Sequence, residues 1–154
     1  MARYLLDTGV LIGYLRASPY AQFIDKKFSP LQPPNISVIS IITVAELRSL
    51  ALQLQWDQKK RDRLDALVHK FPLVDINHEE IFSRYAEIDT YSLNRDSSRK
   101  PPPGTPALKM GKNDLWIAAT SSVVNAALLT TDKHFGHLDG EFLKVIYVDP
   151  SSKP

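Results

Sequence analysis

The chain contains no cysteine, which excludes a disulfide scaffold, a thiolate zinc centre and a cysteine nucleophile. It also lacks any long apolar run, and none approaches the roughly 18 residues of a membrane-spanning helix. Residues 1–6 offer one arginine and a short apolar stretch that Asp7 interrupts before a signal-peptide core forms. A cytoplasmic protein with no membrane partner is therefore expected. Neither sign of charge dominates: 19 Lys and Arg stand against 17 Asp and Glu, for a formal net charge of +2. Such a balance does not identify a nucleic-acid partner, because that footprint depends on clustering rather than on the total. What is present is 44% hydrophobic and 23% charged residues over 154 positions, the composition and size of one globular domain. A single domain over residues 1–150 around one core is expected, followed by a polar tail at 151–154.

Short apolar runs alternate with segments of helical periodicity. Tyr4-Leu5-Leu6 reads as a buried strand, and Val10 to Leu15 and Ala21 to Phe28 as short helices. Ile36 to Ile39 is a second strand continuing into Ser40-Ile41-Ile42, and Thr43 opens a helix that ends near Trp56-Asp57. Lys59 to Lys70 is helical, Leu73 to Ile76 a third strand, and Asn77 caps a helix reaching about Leu93. Prolines at 101, 102, 103 and 106 make Asn94 to Gly111 an exposed loop, rich in Arg and Lys. A strongly apolar helix, Asp114 to Asn125, precedes strands at Ala127 to Thr130 and Leu143 to Val148. This order predicts an α/β fold with a mainly parallel sheet covered on both faces.

In open parallel sheets ligands bind beyond the carboxyl ends of the strands. Asp7 follows the first strand, Asp132 the fourth, Glu46 lies a turn into the helix after the second, and Asp114 opens the apolar helix. Four carboxylates can thus meet at one edge, where they must share protons or a cation. With oxygen donors only, that cation is hard, Mg²⁺ or Mn²⁺. One or two such ions, a pair sitting about 4 Å apart, suit phosphodiester hydrolysis.

Each acid has a plainer reading. Asp7 can cap the following helix, Thr43 to Glu46 matches a T-x-x-E capping box, Asn113-Asp114 suits an N-cap, and Asp132 suits an Asx turn. The functional case rests on all four falling at the same edge.

Four segments, taken together, resemble a known family. Tyr4 to Ile12 resembles the opening strand of PIN-domain proteins, apolar residues followed by Asp-Thr. Ser40 to Leu47, Asn113 to Ala119 and Leu129 to Phe135 resemble their second, third and fourth acidic motifs. The agreement runs from Tyr4 to Val148, and the size resembles the VapC-type toxins of bacterial toxin–antitoxin pairs. The resemblance implies a PIN-like three-layer α/β/α sandwich and an Mg²⁺- or Mn²⁺-dependent endoribonuclease. It also implies a homodimer held inactive by a small antitoxin protein. It carries Asp7, Glu46, Asp114 and Asp132 over as the catalytic metal-site residues, with Thr8 and Thr131 as supporting hydroxyls. The family usually has Asn where this chain has Gly9.

Arg48, Lys109 and Lys112, with Arg99 and Lys100, are candidate RNA phosphate contacts or simply solvated cations. His134 and His137 invite a zinc reading but have no third ligand at hand. Trp116, in an apolar helix, reads as core. Asp7-Thr8-Gly9 is also the tripeptide of aspartic proteases, but those are almost wholly β and continue with Ser or Ala, not Val10. A haloacid-dehalogenase phosphatase would need a second Asp at position 9, which is Gly. The non-enzymatic alternative is a PIN-like module that binds RNA without turnover.

Overall fold

The computed structural model describes every residue, 1–154. Five strands form one sheet: β1 (Arg3–Leu6), β2 (Ile36–Ser40), β3 (Leu73–Val74), β4 (Ala127–Thr130) and β5 (Val145–Tyr147). Their order is β3-β2-β1-β4-β5 and every pairing is parallel. Six α-helices supply the crossovers: α1 (Thr8–Leu15), α2 (Pro19–Phe28), α3 (Ile41–Gln53), α4 (Gln58–Val68), α5 (Glu79–Ser92) and α6 (Lys112–Val123). A 3-10 helix, Lys133–Leu138, lies between β4 and β5.

The alternation of side chains along a strand divides the interior in two. Leu5 and Leu128 point into one cluster with Ile81, Ile88, Leu115 and Phe135, beneath α5, α6 and the 3-10 helix. Tyr4, Leu6 and Leu129 point into the other with Val10, Leu11, Leu47 and Leu64, beneath α1, α3 and α4. The expected single core is thus two half-cores separated by the sheet, because a parallel sheet with crossovers on both faces buries both. The three-layer α/β/α architecture is as the sequence predicts, and the sheet is wholly rather than mainly parallel.

Several boundaries differ. Strand β2 stops at Ser40, whose Oγ accepts from the Ile42 N–H at 3.1 Å and starts α3 two residues earlier than Thr43. Strand β3 has only two residues, so Asp75 and Ile76 lie outside it. Helix α5 is preceded by His78, not capped by Asn77, whose own N–H is held by Asp75 at 3.0 Å. Helix α6 begins at Lys112 after Gly111 with no side-chain cap, so neither Asn113 nor Asp114 caps it. The proline-rich segment 94–111 has no helix or strand, as expected, yet it is tied down. Leu108 N–H donates to Ser92 O at 2.8 Å, the Arg99 guanidinium lies 4.2 Å from the Phe142 ring centroid, and Met110 is buried.

The chain leaves β1 toward β2 and β3 on one side and returns to β4 and β5 on the other. Adjacent crossovers therefore diverge between β1 and β4, the topological switch point where such sheets open a crevice at their carboxyl ends. Asp7 follows β1 and Asp132 lies two residues beyond β4, at that point.

Candidate active site

Asp7 is the best-defined member of the acidic group. Its N–H donates to Leu129 O at 3.0 Å, which ties the end of β1 to β4. Its Oδ1 accepts from the Thr8 N–H at 2.8 Å and its Oδ2 from the Thr130 hydroxyl at 2.6 Å. Asp7 does occupy the N-cap of α1, so the plainer capping reading holds alongside its place in the acidic group. Only 7% of it is exposed. Its carboxyl is pushed up from 3.8 to about 6; burial is the largest cause, the charges of Asp114 and Glu46 add to it, and the two hydrogen bonds offset part.

The other acids arrive from three further elements. Asp114, in the first turn of α6, is also raised, first by burial and then by the charges of Asp132 and Glu46, with His134 pulling the other way. Glu46 stands in the second turn of α3, where its Oε1 accepts from the Thr8 hydroxyl at 2.8 Å. Because α3 starts at Ile41, Thr43 and Glu46 lie too far inside to cap it. The capping-box reading fails, and Thr43 is instead a fully buried residue whose hydroxyl makes no hydrogen bond. Asp132 caps the 3-10 helix, accepting from the His134 N–H at 2.9 Å, and also pairs with the His134 ring at 2.8 Å. The expected Asx geometry is therefore present. Mutual Coulombic influence links Asp7, Glu46 and Asp114, and links Asp114 to Asp132. All four share one edge.

The supporting hydroxyls are only partly as expected. Thr8 does engage Glu46. The hydroxyl that holds Asp7 belongs to Thr130, the last residue of β4, which also accepts the Asp132 N–H at 2.9 Å. Thr130 is thus a link between the first and fourth acids that sequence reasoning missed in favour of its neighbour Thr131. Strand periodicity was the available signal, since alternate residues share a face. Thr130→Val keeps the shape and removes both bonds. The expected cost is about 1–3 kcal/mol of stability, for a buried carboxylate deprived of a donor. Equilibrium denaturation at pH 7 measures it, and an unchanged midpoint would contradict the link.

The candidate cations are less well placed. Arg48 is two residues from Glu46, about 200° around the helix, and lines a groove between α3 and α4 with Leu52, Arg61 and Leu64. Lys109 sits 3.8 Å from Asp89 on α5. Lys112, two residues before Asp114 in the first turn of α6, is exposed. A polar cleft continues from Thr8 and Glu46 along α3 past Ser49 and Gln53 to Asn113. The two histidines have different partners: His134 pairs with Asp132, whereas His137 meets the Ser92 hydroxyl at 2.8 Å and stacks on Tyr91. Trp116 packs on Tyr85 and Phe82, a partly buried aromatic cluster rather than an open platform.

The family model for the PIN domain matches residues 4–141. The chain belongs to the PIN-domain family. Among curated proteins, this PIN domain is 29% identical to Ribonuclease VapC1 of Haemophilus influenzae (strain R2866) over 127 residues, 82% of this chain and 84% of that one. Among solved structures it is similar to VapBC-1 from nontypeable Haemophilus influenzae, with a TM-score of 0.69 and 27% identity over 94% of this chain and 97% of that one. VapBC2 from Rickettsia felis bound to a DNA fragment from their promoter gives a TM-score of 0.74 at 22% identity, covering 96% and 99%. At that identity the likeness speaks for the fold alone.

The ionisation of Asp7 has a consequence for stability. The folded state holds its proton more tightly than the unfolded chain, so folding takes up a proton between about pH 4 and 6. Stability from this group therefore rises as pH falls through that window, and above pH 6 the ionised carboxyl costs on the order of 3 kcal/mol. In chelator, Asp7→Asn is expected to melt above wild type at pH 8, with the gap closing toward pH 4. A gap of the same size at both pH values would show that Asp7 ionises freely in the fold.

Proposed function

We propose that this chain is a divalent-metal-dependent endoribonuclease, the toxin of a type II toxin–antitoxin pair acting in the cytoplasm on RNA. The observation that carries the reading is the arrival of Asp7, Glu46, Asp114 and Asp132 from four separate elements at the β1/β4 switch point. There, burial and mutual repulsion already hold Asp7 and Asp114 above the ordinary carboxylate range. The donor set is all oxygen, which fits Mg²⁺ or Mn²⁺. As they stand, no three of these acids lie close enough to hold one ion, consistent with four anions kept apart while Thr8 and His134 occupy Glu46 and Asp132. Asp7, Asp114, Asp132 and Glu46 are the residues that would hold it. When bound, the ion supplies charge neutralisation and an acidified water.

The protein's own part is orientation. Thr130 and the Thr8 N–H fix both oxygens of Asp7, so that carboxylate is pre-aimed and loses little freedom on use. The Thr8–Glu46 bond sets the height of α3 against α1. The His134 ring Nδ1 lies 2.8 Å from Asp132 Oδ1 and orients that carboxylate. The cleft past Ser49, Gln53 and Asn113 offers neutral hydrogen-bonding groups for an RNA strand, and the exposed Lys112, next in sequence to Asn113, a cation for its backbone. The VapC1 relative and the VapBC structures support a ribonuclease, a small antitoxin partner and assembly into a homodimer or higher oligomer.

Purified protein incubated with total RNA in Mn²⁺, in Mg²⁺ and in chelator is the test. Cleavage with a metal and none in chelator is expected. Binding of RNA with no cleavage in either metal would replace the enzyme by an RNA-binding module.

A further inference from the structure

We propose that Gly9, Thr131 and Tyr20 form a steric key that sets the position of the first turn of α1 against the end of β4. The key thereby fixes the separation of the carboxylates of Asp7 and Asp132. This inference rests on the reading of the acidic edge as one site.

Gly9 lies two residues after Asp7 and next to Thr8. Its φ is not in the left-handed region, which among the glycines is confined to Gly104 and Gly140. Backbone freedom is therefore not the reason for glycine here, and alanine would be the better helix former. The reason is space: a Cβ on Gly9 would stand 2.1 Å from the Thr131 hydroxyl oxygen. The hydroxyl thus fills the place a side chain would take. Thr131 itself lies between Thr130, which bonds Asp7, and Asp132.

One turn along the same face, a Cβ on Gly13 would lie 2.3 Å from Cε2 of Tyr20. The Tyr20 hydroxyl donates to Gly9 O at 2.8 Å. Helix α2 therefore grips the same turn of α1 that Thr131 touches. Val10 and Leu11 are fully buried, but apolar burial is non-directional and does not register a helix along its axis. A filled notch and a directed hydrogen bond do. Because Thr8 bonds Glu46 at 2.8 Å, a shift of this turn would disturb the second acid as well.

The test is a double-mutant cycle. With Thr131→Ala in place, the nearest atom to a methyl at position 9 is the Cβ of residue 131 at 3.5 Å, an ordinary contact. Gly9→Ala alone is expected to lower kcat for RNA cleavage by about tenfold or more with KM little changed, as misplacement of reacting groups does. Added to Thr131→Ala it should cost less than about twofold, the range of independent sites. Added to Thr131→Val, where a methyl stands at the hydroxyl position, it should cost about tenfold again. Tyr20→Phe, which keeps the ring on Gly13, should lower kcat with KM little changed and with only the small fall in melting temperature that loss of one part-buried hydrogen bond brings. Mn²⁺ affinity of the same set, read by the electron-spin signal of free Mn²⁺, should follow the same pattern.

Equal costs of Gly9→Ala in all three backgrounds, or no cost in any, would overturn the key. If wild type neither cleaves RNA nor binds Mn²⁺, it is the functional reading that falls. The amide resonances of Thr131 and Asp132 then decide the key, which requires them to move in Gly9→Ala.

Discussion

Asp7→Asn and Asp114→Asn are each expected to reduce RNA cleavage at least about a thousandfold, since loss of several kcal/mol of metal-borne stabilisation corresponds to that factor. Both proteins should remain folded. Asparagine keeps the Oδ1 acceptor that the Thr8 N–H uses at Asp7, its Nδ2 in place of Oδ2 can donate to the Thr130 hydroxyl oxygen and so reverse rather than lose that bond, and Asp114 caps nothing whose loss would unwind α6. The change removes one negative charge from a group that is already strained by burial and by like charges. Stability therefore holds or rises while function is lost, a combination that a purely structural role for these acids does not produce. In a cell, expression of the wild-type chain alone should arrest growth and both variants should relieve the arrest. Equal toxicity from all three would remove the acidic cluster from the account.

Phe135→Ala is expected to cost about 3–5 kcal/mol, a large part of the 5–15 kcal/mol that holds a domain of this size together. Phe135 is fully buried in the half-core formed with Leu115, Ile117 and Leu128. It lies three residues after Asp132, on the 3-10 helix that Asp132 caps. Such a short helix has few bonds of its own, so this ring is the anchor that holds the fourth acidic segment against the sheet. Chemical denaturation should show the lost stability. Phe135→Leu, which refills most of the volume, should recover more than half of it. A midpoint for Phe135→Ala within error of wild type would show that the ring does not anchor this segment.

The layered fold was legible because the strands are short apolar runs separated by helical periodicity, a pattern that only a two-sided parallel sheet explains. The acids were legible as a set because Asp7 and Asp132 follow strands, Asp114 stands in the first turn of a helix and Glu46 one turn into another. Individual roles were harder to read. Thr43 to Glu46 has the letters of a capping box, but which residue starts a helix depends on where the preceding strand stops. That was decided by Ser40 turning its hydroxyl onto the Ile42 N–H. Thr130 and Thr131 are chemically identical neighbours, and only the strand's alternation assigns one to Asp7 and the other to Gly9. Arg48 and Lys109 looked like phosphate contacts because sequence shows charge without direction. In the fold one faces the α3–α4 groove and the other pairs with Asp89. The grip of Tyr20 on α1 had no sequence signal, since it depends on the meeting of two helices.

The central claim is that acids from four elements form one cation site. Calorimetric titration of Mn²⁺ into wild type and into Asp7→Asn, Glu46→Gln, Asp114→Asn and Asp132→Asn, all at neutral pH, tests it most directly. Saturable binding by wild type is predicted, weakened at least about tenfold in Asp7→Asn and Asp114→Asn, as loss of a ligand charge requires. Identical isotherms for all five proteins would contradict it.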